Sequence, residues 1–317
     1  MTDTFGRTID YLRISLTDLC NFRCIYCMPE QGVPRLRHED ILSLEEIEEI
    51  ARAAVALGVH KIRLTGGEPL VRRGVLTLCE RLAAIPGLDD LAITTNGALL
   101  SRFAAPLRQA GVNRVNISLD TLDPRKFSSI TRGGDLNEVL RGIQCAADCG
   151  FSPLKLNTVL IGGFNDDEIP ALVDLTRHSP IEVRFIELMP IGCAANLPPT
   201  AFLSCEAVLE AVPALRPIES DGGVARRYRL PDAPGAVGLI RPLSHHFCGA
   251  CNRVRLTADG SIKPCLHSAE EIPVRGLHGG ALTEALRTAI LHKPQQHAVL
   301  STAEPSDSRR GMHQIGG

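Results

Sequence analysis

Tyr11-Leu-Arg-Ile-Ser-Leu-Thr-Asp-Leu-Cys20-Asn-Phe-Arg-Cys24-Ile-Tyr-Cys27 decides how the rest of the chain is read. An apolar, β-prone run, Tyr11–Leu16, leads into a loop that carries three cysteines spaced C-x3-C-x2-C. A buried strand followed by a residue-rich loop at its C-terminal end is how parallel α/β sheets build sites. The rhythm recurs. Further β-rich runs fall at Lys61–Thr65, Leu91–Thr95, Arg114–Leu119, Leu154–Leu160 and Glu182–Leu188. Between them lie helical stretches at Leu44–Leu57, Gly74–Ala84, Ser101–Ala110, Asp135–Cys149 and Asp166–Arg177. In the first of these, Ile47, Ile50, Ala51 and Ala54 share one helical face, with Ser43 placed as N-cap and Gly58 as stop. Six strand–helix units predict an α/β fold with a parallel sheet and helical crossovers. The pattern does not choose between an open sheet and a barrel, and six units fall short of the eight of a full barrel.

Past Pro190 the rhythm breaks. Pro198, Pro199, Pro213, Pro217, Gly222, Gly223, Pro231, Pro234, Gly235 and Gly238 read as linker with short strands, plus one helix near Cys205–Val212. A second cysteine cluster follows, then a helix near Leu282–Leu291. The tail, Ser301–Gly317, is polar and reads as extended.

The chain has 317 residues, 44% hydrophobic and 22% charged, enough for one large domain or two with a sizeable core. With 34 basic and 36 acidic residues the net charge is −2, which argues against a nucleic-acid coat or a polybasic membrane anchor. The longest uncharged run, Leu188–Cys205, contains Pro190, Asn196, Pro198 and Pro199 and does not read as a membrane span. The N-terminus lacks an apolar leader. The expected location is the cytoplasm, where thiols stay reduced.

Eleven cysteines therefore need another explanation than disulfides. Cys79, Cys145, Cys149, Cys193 and Cys205 are scattered and read as small buried hydrophobes. Cys20, Cys24 and Cys27 can wrap one metal centre. A structural zinc wants four ligands, and only His38 lies near enough in sequence to complete one. A cubane iron–sulfur cluster on three thiolates leaves one iron open, the mark of a catalytic centre. Cys248, Cys251 and Cys265 form a second trio, C-x2-C-x13-C. His245, His246 and His267 flank it, so zinc stays open there too. Arg253 and Arg255, on one face of a strand at Asn252–Leu256, point to an anionic ligand beside that metal.

The C-x3-C-x2-C loop, with Tyr26 before its last cysteine, and Thr65-Gly-Gly-Glu-Pro69 after the second strand resemble the radical S-adenosylmethionine superfamily. That resemblance implies a partial (β/α)6 TIM-like barrel and a [4Fe–4S] cluster whose open iron chelates S-adenosylmethionine, which is cleaved to a 5′-deoxyadenosyl radical. From Arg7 to the last residue, the chain resembles more closely the GTP 3′,8-cyclase family of that superfamily, the molybdenum cofactor biosynthesis A proteins. The matching segments include KIRLTGGEPLVRR, LAITTNGALL, RVNISLDTLDP, VRFIELMP and FCGACNRVRLTADGSIKPCL.

This resemblance implies a radical-SAM core at 1–225 and a smaller C-terminal iron–sulfur domain, 226–317, closing the barrel mouth. It implies two [4Fe–4S] clusters. It assigns Tyr26, Gly67, Ser118 and Met189 to S-adenosylmethionine, and Arg13, Arg63, Thr94, Lys155, Arg253 and Arg255 to GTP. Gly316 and Gly317 would assist catalysis. Arg13, Arg63, Lys155 and Arg184 would point into the lumen, where several cations with few acids imply an anionic ligand. The implied reaction is a lyase step, conversion of GTP to 3′,8-cyclo-7,8-dihydro-GTP, the first of molybdenum cofactor biosynthesis. An electron donor and the cyclic pyranopterin monophosphate synthase, which takes the product onward, are the implied partners, with a homodimer as one assembly open to it. The alternatives are a radical enzyme acting on a peptide, or a non-enzymatic iron–sulfur or zinc module.

Overall fold

The computed structural model describes residues 1–34, 36–219, 222–301 and 304–316. All six expected strands form: β1 (Tyr11–Ser15), β2 (Lys61–Thr65), β3 (Asp90–Thr95), β4 (Arg114–Ser118), β5 (Lys155–Leu160) and β6 (Glu182–Glu187). The crossover helices are α1 (Leu44–Ala56), α2 (Val75–Ala83), α3 (Leu100–Gln109), α4 (Pro124–Thr131), α5 (Leu136–Asp148) and α6 (Ile169–His178). α1 starts where the sequence places it. Ser43 accepts from the Glu46 N–H at 3.1 Å, and the Glu46 carboxylate accepts from the Ser43 N–H at 2.8 Å. Its buried face is Ile47, Ile50, Ala51 and Ala54. α4 was not anticipated, although Asp123 caps the N–H groups of Arg125 and Lys126 and Pro124 opens the first turn.

The C-terminal third completes the sheet. After α7 (Glu206–Ala211) come β7 (Arg216–Pro217), β8 (Arg226–Arg229), β9 (Ala236–Ile240), β10 (Arg253–Leu256), β11 (Ser261–Lys263) and β12 (Ile272–Pro273), then α8 (Gly279–Leu291) and α9 (Met312–Ile315). The strand order is β12-β11-β10-β1-β2-β3-β4-β5-β6-β9-β8-β7. β10 adds parallel to β1, and β9 adds parallel to β6. The parallel part thus runs from β10 to β9, with two strands that the six-unit count did not contain. Antiparallel strands flank it on both sides.

Alternation along each strand divides apolar from polar. Leu12, Ile14, Ile62, Leu64, Ile93, Ile117, Leu156 and Val183 are buried in the helix-facing layer. The alternate residues Arg13, Arg63, Thr94, Ser118, Lys155 and Arg184 line an interior cavity. A slip of one residue in β1, β2, β4, β5 or β6 would drive an arginine or lysine into the apolar layer, which holds the register.

The tail departs from expectation. Its end is not extended. Met312–Ile315 makes a short helical turn, and Ile315 is buried. Arg310 anchors it, with Nε 2.7 Å from Glu271 and Nη1 2.9 Å from Asp259. Polar composition hid this, because one arginine and one buried isoleucine supply the docking.

Candidate functional site

The interior cavity has a volume of about 470 Å³ and is lined by both cysteine trios. They lie at opposite ends of the strands. Cys20–Cys27 follows the C-terminal end of β1. Cys251 precedes β10, whose Arg253 is level with Tyr11 at the start of β1. Cys265 follows β11, which runs antiparallel to β10 and returns to the same end. The five residues of β1 span about 16 Å at about 3.3 Å per residue, so a ligand reaching both trios is elongated. The expectation that ligands sit only at the C-terminal strand ends therefore needs widening.

The first trio is held by the turn after β2. The Gly67 N–H donates to the Thr17 carbonyl at 2.7 Å, and the Glu68 N–H to the Leu19 carbonyl at 2.8 Å. A Cβ on Gly67 would lie 2.3 Å from the Leu19 oxygen, so packing against the cysteine loop alone demands glycine there. Glu68 is fully buried and accepts from Leu70 N–H, Thr95 Oγ1 and Asn96 N–H. Burial pushes its carboxyl up to about 7 against those bonds. Tyr26 donates its hydroxyl to Asp120 at 2.7 Å. Burial pushes Cys20 up to about 11, with the Glu68 charge adding, and Cys27 to about 12, with Cys20 adding. Cys24 is raised by burial and by Asp120. Among the described residues these thiols have no cation partner. A metal cluster that takes up their negative charge fits this donor set.

The second trio sits in the opposite field. Burial alone would raise Cys251, but Lys293 and Arg253 outweigh it and bring the thiol down to about 7. Ligand atoms of His246, Cys248 and His297 lie within 4.8 Å of one another. The His267 ring meets that of His297 at a tilt, with centroids 4.5 Å apart, and lies 3.1 Å from the Ser306 hydroxyl. The flanking histidine that comes closest to the trio is joined by His297, which spacing did not single out. His245 is exposed, and the side chain of His38 lies outside the described part.

Between the trios the wall is basic. Tyr26, Gly67, Ser118, Met189, Arg13, Arg63, Thr94, Lys155, Arg253 and Arg255 all line the cavity. Arg13, Arg63 and Arg253 each keep a buried Nε without a hydrogen-bond partner, as does the Thr94 hydroxyl. Arg63 and Arg255 are pushed below the usual arginine range by burial and by neighbouring cations, as happens to cations lacking a counter-ion. The expectation of few inward acids holds only on part of the wall. Lys155 lies 3.9 Å from the buried Glu182, which also pairs with Arg184. Lys61, Arg114 and Lys293 complete the basic lining and were missed. For the first two the signal was available in the strand alternation, since Lys61 shares the face of Arg63 and Thr65.

Gly316 is buried at the same wall, and its carbonyl accepts from Arg255 Nη1 at 2.6 Å. Its φ is +69°, and a Cβ there would lie 2.0 Å from Thr65 Oγ1. Gly317 lies outside the described residues.

Comparison with known proteins agrees with this architecture. Residues 14–176 match the Radical SAM superfamily model and residues 181–299 the Molybdenum Cofactor Synthesis C model. A GTP 3′,8-cyclase of Alkaliphilus oremlandii (strain OhILAs) is 51% identical over 321 residues, covering 100% of both chains. Another, of Pelotomaculum thermopropionicum, is 51% identical over 330 residues, again with 100% of both covered. Among solved structures, Streptococcus suis SuiB superposes with a TM-score of 0.62 at 15% identity, covering 91% of this chain and 67% of that one. Methylornithine synthase (PylB) superposes at 0.51 and 20% identity, covering 66% and 63%. At such identity these two speak for the fold alone. The full-length match at half identity reaches further: the chain belongs to the radical S-adenosylmethionine superfamily and, within it, to the GTP 3′,8-cyclase family.

Proposed function

We propose that the cavity holds GTP lengthwise between two iron–sulfur centres, and that the chain is the lyase that joins ribose C3′ to guanine C8. The product is (8S)-3′,8-cyclo-7,8-dihydroguanosine 5′-triphosphate, and the step is the first of molybdenum cofactor biosynthesis. One observation carries the reading: a cavity with a three-cysteine set at each end and, between them, the buried Arg13, Arg63 and Arg253, each with an unpartnered Nε and, among the described residues, no carboxylate partner.

Cys20, Cys24 and Cys27 hold a [4Fe–4S] cluster, and Cys248, Cys251 and Cys265 hold a second. The first, with S-adenosylmethionine on its open iron, supplies hydrogen-abstracting radical chemistry when bound. Tyr26, Gly67, Ser118 and Met189 form the S-adenosylmethionine pocket, with Asp120 fixing the Tyr26 ring through its hydroxyl. Arg13, Arg63, Thr94, Lys155, Arg253 and Arg255 grip the nucleotide. Arginine suits this task because its planar fork meets phosphoryl oxygens in pairs. The Gly316 carbonyl holds the Arg255 guanidinium in place, and the Gly316–Gly317 end of the chain assists catalysis. Enclosure by both end loops and the tail excludes water from the reacting carbons.

We further propose the division 1–225 and 226–317 as a functional one, radical core and nucleotide-gripping region, although the two share one sheet. Among the described residues no helix is long and apolar enough to cross a membrane. We infer a cytoplasmic enzyme that draws on an external electron donor and hands its product to a cyclic pyranopterin monophosphate synthase.

The test is an anaerobic assay of cluster-reconstituted protein with S-adenosylmethionine and a strong reductant. The expected result is 5′-deoxyadenosine that depends on GTP, not ATP, with a new product of GTP mass. Deoxyadenosine indifferent to GTP would discard the substrate. Iron analysis decides the second trio: about eight irons per chain for two cubanes, or about four plus one zinc if His246, Cys248 and His297 take zinc instead.

A further inference from the structure

Tyr11 stands at the start of β1 and is buried. Three guanidiniums surround its ring. Arg63 lies 5.5 Å from the centroid, Arg253 5.7 Å and Arg13 5.8 Å. They come from three neighbouring strands, β2, β10 and β1. Among the described residues none of the three has a carboxylate partner, and each has a buried, unpartnered Nε. The Tyr11 hydroxyl is likewise buried with no hydrogen-bond partner. Other cations on this wall are answered: Arg114 by Asp90, and Lys61 by Asp10 at 3.2 Å.

Like charges converge on one ring only if something holds them there. An aromatic face attracts guanidinium, most strongly where the contact is desolvated. The unmet groups share one requirement. Guanidinium Nε–H groups and a phenolic O–H are all donors, aimed into one cavity, so the missing partner is an acceptor that carries several negative charges. Burial would raise the phenol, but Arg63, Arg13, Arg253 and Arg114 outweigh it and bring it below its ordinary range, the field an anion would neutralise.

We propose that Tyr11 is a substrate-positioning residue: its ring fixes Arg13, Arg63 and Arg253 as a fan, and its hydroxyl donates to a phosphoryl oxygen of the bound polyphosphate. This rests on the nucleoside-triphosphate reading above. It adds a residue to that grip which is neither basic nor part of the sequence motif.

The experiment measures binding without turnover, on cluster-reconstituted protein, with GTP, inorganic tripolyphosphate and guanosine as probes. Tyr11→Phe keeps the ring and removes the donor. GTP and tripolyphosphate should bind about tenfold more weakly, guanosine unchanged. Tyr11→Leu removes the ring as well and should cost roughly a further tenfold for the two anions. S-adenosylmethionine affinity and iron content should stay at wild-type values in both. The ligand-free Tm of Tyr11→Phe should not fall, because the lost hydroxyl has no partner in the protein. Unchanged anion affinity in Tyr11→Phe overturns the hydrogen bond. A loss confined to guanosine overturns the phosphate assignment. Wild-type protein that binds neither GTP nor tripolyphosphate would overturn the substrate reading itself, a failure distinct from that of Tyr11.

Discussion

The two cysteine trios share a ligand number and a cavity but not an electrostatic field. Around Cys20, Cys24 and Cys27 the neighbours are carboxyls, Glu68 and Asp120, together with the other thiols, and every shift is upward. Around Cys251 the neighbours are Lys293 and Arg253, and the shift is downward to about 7. The first trio therefore depends on its metal to carry the thiolate charge. At the second, Lys293 and Arg253 already favour the Cys251 thiolate before any metal arrives. The difference teaches which end is electropositive. An anionic nucleotide gains from the cations at the second trio, whereas the first is fenced by acids suited to the ammonium and sulfonium groups of S-adenosylmethionine.

The largest effect expected from this contrast is all-or-none. Cys24→Ala should abolish 5′-deoxyadenosine formation and leave about four irons per chain. Cys265→Ala should also drop to about four irons, yet retain S-adenosylmethionine cleavage while losing the GTP-mass product. Identical phenotypes would erase the division of labour between the trios.

A second effect reads the field directly. In cluster-free protein at pH 7.5, iodoacetamide should modify Cys251 at least about tenfold faster than Cys20, Cys24 or Cys27, because only the thiolate reacts. The rate at Cys251 should fall as pH drops below 7, as protons return to a group whose pKa is depressed. Lys293→Gln should remove most of the advantage. Equal rates at all four cysteines would show that the field is not as described.

The smallest effect concerns the strap that links the two regions. Gly316→Ala puts a methyl against Thr65 and a side chain at φ +69°, a strain of about 1–3 kcal/mol. The tail should release Arg255, and coupled GTP turnover should fall about tenfold, with cleavage of S-adenosylmethionine less affected. An unchanged coupling ratio would leave the tail a purely structural strap.

Much of this was legible along the chain. The six strands and five of their helices follow from runs of β-branched residues, helical periodicity and caps such as Ser43. α4 escaped because its eight residues are mostly polar, so periodicity was weak there while the Asp123–Pro124 start was easy to read as a turn. The lumen-facing arginines of β1, β2 and β10 could be inferred from alternation. The inward face of Glu182 was available by the same alternation, since it shares the face of Arg184 on β6, whereas its pairing with Lys155 depends on the register of β5 against β6. Lys293 and His297 lie outside any motif and reach the second trio only through the fold. The tail was misread because its polar composition conceals the Arg310 anchor and the buried Ile315.

Local order by itself determined the trios' ligand count, the glycine turn beside the first, and the sequence of parallel strands, since these depend on residues near one another in the chain. Only the tertiary structure decided that the sheet gains β10 and β9 at its two parallel edges. Only it put the second trio at the opposite end of the strands from the first, and turned Tyr11 into the hub of three arginines. The physical reason is that charge and hydrogen-bond demand act through space. Arg13, Arg63 and Arg253 are far apart in sequence, and their shared need for an anion exists only once three strands lie side by side.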